Sequence, residues 1–165
     1  MTMFQDMHFR GAEILRGDTL VSDGLSIVAG QLREMSEGQQ ETIVDLTGYW
    51  VLPGIVDLHG DAFERHLAPR PTAPFPSNIG LRSVDHDAAS SGVTTAWMAQ
   101  SWSWEGGSRG PDSAEALMDD LANYRPQALT DLRIHLRCEP HSIDTIPRLF
   151  TAFSKHSVDN VLVHN

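Results

Sequence analysis

His59 and Asp61 stand two residues apart at the end of the run Val51-Leu52-Pro53-Gly54-Ile55-Val56-Asp57-Leu58-His59-Gly60-Asp61. On an extended strand, residues i and i+2 project to the same face, so an imidazole nitrogen and a carboxylate oxygen converge on one point. That donor pair suits a divalent metal ion, and histidine with carboxylate is compatible with zinc, manganese or iron. Asp57 shares the face in a regular strand and is a candidate to orient His59 from behind. Pro53-Gly54 breaks the chain just before the strand and fixes where it enters. The leading expectation is a metal-dependent hydrolase, set against the plainer reading of a polar strand end with a surface histidine. Further along, His135 and Arg137 share one parity, while Cys138 points the other way and reads as a small buried hydrophobe.

These residues need elements to carry them. Residues 1–52 read as a small β layer, with strands over 8–15, 18–21, 25–28 and 31–35 and a continuation over 41–50. Asp23-Gly24 is the hairpin signal within it. After Pro53 the pattern changes. Residues 55–58 form a short apolar run suited to a strand buried on both faces, and 63–78 form a proline-rich loop of a length that usually serves function. Residues 83–91 predict a helix ended by Gly92, and 93–98 a second buried strand. Asp112 followed by Glu115 resembles a capping box, after which Leu117, Met118, Leu121 and Ala122 recur at helical spacing. Residues 132–136 predict a third strand. Ile143, Ile146, Leu149, Phe150 and Phe153 line one helix face, and 161–163 open a fourth strand.

Alternating strands and helices imply a parallel sheet with helical crossovers. His59, Asp61, Glu139 and His164 then lie at the C-terminal ends of strands, where (β/α) barrels place their active sites. The chain therefore divides into a small β part over 1–52 and four β/α units over 53–165. Four strands do not close an eight-stranded barrel, and the last one presents an edge that invites pairing. The expectation is either a piece of a longer protein or a half-barrel that associates with itself or with another chain.

Composition narrows the partners. The net charge of −10 over 165 residues argues against a general nucleic-acid binder, which needs a basic surface. An apolar fraction of 41% with 21% charged residues is globular rather than disordered. The single cysteine fits a reducing, cytoplasmic setting. Residues 1–10 contain Asp6 and no apolar core, so no secretory signal is expected, and no run approaches the length that crosses a bilayer.

The segment from Leu52 to Asp61 resembles the first barrel strand of the amidohydrolase superfamily, whose members carry a small β-sandwich like the one expected over residues 1–52. Within it the chain is most similar to the branch serving phosphonate breakdown in the carbon–phosphorus lyase pathway. His59-Gly60-Asp61 stands where His-x-His is more usual. Glu64-Arg65-His66-Leu67-Ala68-Pro69-Arg70-Pro71 follows it. Asp85-His86-Asp87, Ser91-Gly92-Val93-Thr94-Thr95 and His135-Leu136-Arg137-Cys138-Glu139 complete the set.

The resemblance covers the first half of such an enzyme, and that half alone is expected to be inactive. It implies a (β/α)8 barrel, represented here by its opening half, and hydrolysis of α-D-ribose 1-methylphosphonate 5-triphosphate to the 5-phosphate and diphosphate. It also implies a binuclear centre of divalent metal, zinc ahead of manganese or iron, with His59 and Asp61 as ligands and Glu139 bridging both ions and serving catalysis; His164 is a further candidate ligand. Arg65, Arg70 and Arg137, with His66 as helper, would bind phosphate, since guanidinium groups pair bidentately with phosphate oxygens. A C–N hydrolase of the same superfamily and a non-catalytic half-barrel are the alternatives. The arginine in Pro69-Arg70-Pro71 favours the phosphorylated small molecule over a neutral amide.

Overall fold

The computed structural model describes residues 6–35, 43–70, 72–156, 158 and 160–163. The chain divides into two compact units, Met1–Pro53 and Gly54–Asn165.

The first unit is built from strands β1 (Met7–Arg16), β2 (Thr19–Val28), β3 (Gln31–Glu34), β4 (Ile43–Asp45) and β5 (Trp50–Val51). They form one five-stranded sheet in the order β3-β2-β1-β4, with β5 also on β1. β1 and β2 are antiparallel, as are β2 and β3, whereas β4 and β5 run parallel to β1. Ala12, Ile14 and Leu25 form its small core, and His8 is buried with Nδ1 2.7 Å from the Ser26 hydroxyl.

Asp23-Gly24 is not the hairpin turn the sequence suggests; it lies inside β2. The chain reverses instead at Gly17-Asp18, where Gly17 takes φ +65°. Opposite Gly24 the ladder carries a bulge between Phe9 and Ala12. A Cβ at residue 24 would meet the Met35 sulfur at 2.6 Å and the Phe9 carbonyl oxygen at 3.0 Å. Gly24 thus serves a close approach between strands rather than a turn.

The second unit is mixed α/β. Strands β6 (Ile55–Gly60), β7 (Val93–Trp102), β8 (Asp131–Cys138) and β9 (Asn160–Val163) form a four-stranded sheet in that order, every neighbouring pair parallel. Between them run α1 (Glu64–Leu67), α2 (Ser77–Ser90), α3 (Pro111–Tyr124) and α4 (Ile146–His156). The core joins Leu81 and Val84 of α2, Met98 and Trp102 of β7, Leu117 and Leu121 of α3, and Leu132 and Leu136 of β8. Each such side chain contributes about 1.5–3 kcal/mol by leaving water.

Several elements differ from expectation. α2 starts at Ser77, directly after Pro76, rather than at residue 83, and α1 is a helical turn inside the expected loop. Local propensity hides this start: Asn78 and Gly80 are poor helix formers. Packing favours the glycine, because a Cβ at residue 80 would lie 2.4 Å from a Leu67 methyl and 3.1 Å from the His66 carbonyl oxygen. The capping box is absent as well. Pro111 occupies the first turn of α3, Gly110 is the N-cap, and no side chain caps it. Asp112 and Glu115 instead bind Arg148 of α4.

β6 is not buried on both faces. It is an edge of the sheet, and Ile55, Val56 and Leu58 are exposed. The apolar face expected on the last helix is split, with Leu149, Ala152 and Phe153 meeting the core while Ile143, Ile146 and Phe150 are exposed. Among the described residues, no helix is long and apolar enough to cross a membrane.

Candidate functional site at the carboxyl end of the parallel sheet

The end of β6 is irregular in a way that alternation alone does not show. Asp57 pairs with Ala96 of β7 and Gly60 with Met98, so two residues, Leu58 and His59, oppose Trp97 alone. This is a β-bulge, a device that re-aims side chains at the rim of a sheet. Its amide side is held locally: the His59 N–H donates to Asp57 Oδ1 at 3.0 Å. Its carbonyl side is held from β8: His135 Nδ1 lies 3.1 Å from the Leu58 oxygen.

The bulge brings His59 Nε2 to 3.7 Å from Asp61 Oδ1, with side chains 44% and 63% exposed. Two residues from β8 meet this pair. The His135 ring stands edge-on to the His59 ring, centroids 4.9 Å apart. Arg137 Nη1 donates to Asp61 Oδ1 at 3.1 Å. His59, Asp61, His135 and Arg137 are thereby brought together, and Asp57 supports His59 through the backbone rather than through the ring.

The other candidates lie apart from this cluster or at its margin. Glu139 accepts a hydrogen bond from the Ser103 hydroxyl at 2.7 Å. Among the described residues, no three His, Cys, Asp or Glu side chains are grouped as a metal would need. Arg65 is exposed and shares with Asp61 a cleft of about 590 Å³, whose walls include Phe63, Glu64, Phe75 and Gln100. His66 turns to α2, its Nε2 3.3 Å from Asp87 Oδ2. Arg70 is exposed at a narrow bend where its carbonyl accepts the Ala73 N–H at 3.0 Å. His164 lies outside the described residues.

The donor set can be tested for a metal on its own chemistry. One nitrogen and one carboxylate oxygen 3.7 Å apart are close enough for a single ion at about 2.0–2.2 Å from each. They supply two positions of a shell that needs at least four. Arg137 draws on the same carboxylate oxygen, leaving the second oxygen of Asp61 as the more open donor.

Sequence reasoning did not foresee two polar residues on β7 and its exit. Ser103 is fully buried; its hydroxyl accepts the Glu105 N–H at 3.1 Å and donates to Glu139, fixing that carboxylate. Gln100 is buried, and its amide donates to the Ser101 and Ser108 carbonyls at 2.9 and 3.1 Å, which ties the strand to the loop beyond it. Nothing in the spacing marks either one, because their partners come from other segments.

A different carboxylate, Asp85 of α2, is fully buried and does structural work. It accepts from Tyr124 Oη at 2.8 Å, from the Leu129 and Thr130 amides at 2.8 and 2.9 Å, and from Thr130 Oγ1 at 2.6 Å. Burial pushes its acidity one way, but the hydrogen bonds together outweigh it and hold the carboxyl below the ordinary aspartate value. Asp85-His86-Asp87 thus contributes a lock between α2 and the start of β8, and Asp87 a partner for His66.

No family model matches the chain. The formyltransferase/hydrolase complex of Methylorubrum extorquens, solved with methylofuran, contains a chain similar in fold. Its TM-score is 0.61 at 19% identity, over 95% of this chain and 32% of that one. In sequence, the chain is similar to the alpha-D-ribose 1-methylphosphonate 5-triphosphate diphosphatase of Escherichia coli (strain K12), 27% identical over 147 residues, and it spans 39% of that relative's length and 86% of its own.

Proposed function

We propose that this chain supplies the opening strands of a (β/α)8 barrel, preceded by part of a small β-sandwich, in a metal-dependent hydrolase of phosphonate breakdown. The substrate on this reading is α-D-ribose 1-methylphosphonate 5-triphosphate. The observation that carries the proposal is the convergence of His59 Nε2 and Asp61 Oδ1 at the carboxyl end of β6, with Arg137 against the same carboxylate. The likeness to a diphosphatase supports the substrate class.

In this reaction water adds to a phosphorus of the anhydride bond joining the 5-phosphoryl group to the terminal diphosphate. The bond breaks to leave the 5-phosphate and diphosphate. A divalent ion, when bound, supplies Lewis acidity and charge neutralisation for the phosphoryl oxygens. His59 and Asp61 would hold it, and a second ion would call on Glu139. Arg137 sits where a guanidinium can exchange its carboxylate partner for a phosphate oxygen, a pairing of similar geometry. Arg65 lines the cleft that begins at Asp61 and would meet the more distant phosphates, with Arg70 and His66 on the same loop region.

The test combines elemental analysis of the purified protein with release of diphosphate from the ribose triphosphate substrate. The reading expects bound zinc, manganese or iron that falls sharply in Asp61→Asn, and any diphosphate release falls with it. Metal content unchanged by Asp61→Asn would remove the His59–Asp61 site from the proposal. Hydrolysis of a cyclic amide in place of the triphosphate would move the chain to C–N chemistry.

A further inference from the structure

We propose that His135 is a positioning residue for His59, acting across an intervening strand; the inference rests on the reading of His59 as a ligand-bearing residue. Three observations carry it. First, β8 does not neighbour β6 in the sheet, since β7 runs between them. His135 nonetheless reaches the Leu58 carbonyl at 3.1 Å and sets its ring edge-on to His59. Second, the residue of β7 in register with His135 is Ala99, fully buried and small enough to leave the path open. In-register neighbours of a parallel pair project to the same face, so a larger side chain at residue 99 would stand in that path. Third, the carbonyl that His135 engages belongs to the bulge, where Leu58 and His59 together face Trp97 and the regular ladder is interrupted.

A carbonyl oxygen only accepts, so the contact assigns a proton to Nδ1. His135 thereby fixes the peptide plane joining Leu58 to His59, and its ring edge limits the rotamers open to the His59 imidazole. Asp57 holds the other side of the same peptide unit through the His59 N–H. The His59 side chain thus leaves a peptide gripped at both its oxygen and its nitrogen, one grip local in sequence and the other 77 residues away. Pre-set donors of this kind avoid the ordering cost that a floppy ligand pays on binding.

The experiment begins on the unaltered protein without added metal. Long-range proton–nitrogen NMR of the histidine rings reads the tautomer of His135 and the environment of His59 directly. The expected result is a proton on His135 Nδ1; a proton on Nε2 alone overturns the proposal. Zinc titration is then compared across the parent, His135→Asn and His135→Leu. Asparagine places an amide donor where Nδ1 stood, whereas leucine keeps bulk and removes the donor. The expected result is zinc affinity within about threefold of the parent for the asparagine variant and weaker by about 10–100-fold for leucine, with the His59 ring signals shifted only in leucine. A folded leucine variant with parental affinity and unshifted His59 signals overturns the proposal. Should leucine fail to fold, Ala99→Val serves in its place, and parental His59 signals there overturn it. A parent that binds no metal would defeat the proposed function, while the tautomer and the His59 signals would still decide the role of His135.

Discussion

The carboxylate of Asp57 accepts the backbone N–H of His59 at 3.0 Å, and its second oxygen lies only 2.8 Å from where a Cβ on Gly60 would sit. Gly60 is therefore required by the grip on His59 rather than by an unusual backbone angle. Gly60→Ala must push the Asp57 carboxylate away and release the His59 amide. Zinc titration should show Asp57→Ala and Gly60→Ala weakened in the same direction, by about tenfold or more, with Asp57→Asn close to the parent because its amide oxygen still accepts. Equal weakening by Asp57→Asn and Asp57→Ala would assign the effect to charge instead.

Asp85 predicts a pH dependence of stability. Its folded carboxyl is held below the ordinary value of 3.8 by the amides of Leu129 and Thr130 and the hydroxyls of Thr130 and Tyr124, which outweigh the opposing effect of burial. A carboxyl depressed on folding contributes stability that is fully present above its unfolded value and is lost as pH falls through the lower folded value. Urea midpoints of the parent should therefore decline as pH drops below 3.8, and Asp85→Asn should flatten that decline. At neutral pH, Asp85→Ala strands four donors around a buried site and should cost about 3 kcal/mol or more. The Tyr124 phenol, raised to about 12 by burial and by Asp85, should remain protonated through any pH at which the fold survives.

Arg148 joins α4 to α3 with a fork. Its Nε and Nη2 each reach Glu115 at 2.8 Å, and Nη2 reaches Asp112 at 2.5 Å. The guanidinium holds the Glu115 carboxyl below its ordinary value. With Arg148 41% exposed, solvent screens the pair, and Arg148→Ala should lower stability by about 1 kcal/mol. Arg148→Lys should recover little of it, because an ammonium cannot bridge both oxygens of Glu115 as the planar fork does. Thermal melts of the three proteins check the order.

Cys138 gives a chemical readout of the core. Burial raises its thiol to about 11, so almost no thiolate exists at pH 8. A disulfide reagent such as DTNB should leave the folded protein unlabelled over minutes and label one thiol per chain in 6–8 M urea. Rapid labelling without urea would mean that the end of β8 opens far more readily than its packing implies.

The order of strands and helices was legible because the buried positions of β7, β8 and α3 are apolar and recur at the spacing of their element: Met98 and Trp102, Leu132 and Leu136, Leu117 and Leu121. Local signals failed where a distant partner decided the outcome. Asp23-Gly24 looks like a turn, but Gly24 is set by Met35 and Phe9. Asp112 and Glu115 look like a cap, but their partner Arg148 lies 36 and 33 residues away, respectively. The convergence of His59 with Asp61 was readable from parity, although the bulge that aims them is a relation between two strands that neither strand's sequence displays. The reach of His135 across Ala99 depends on a third strand and was less visible still.

The parallel sheet places the two halves of the candidate site on strands of unequal security. β8 is interior, with neighbours on both sides, while β6 is an edge whose Ile55, Val56 and Leu58 face water. Backbone amides at such an edge exchange with solvent through small local openings, whereas those of β7 and β8 await larger ones. His59 and Asp61 therefore sit at the end of the more readily opened strand, and the contact of His135 with the Leu58 carbonyl ties that end to the interior strand β8.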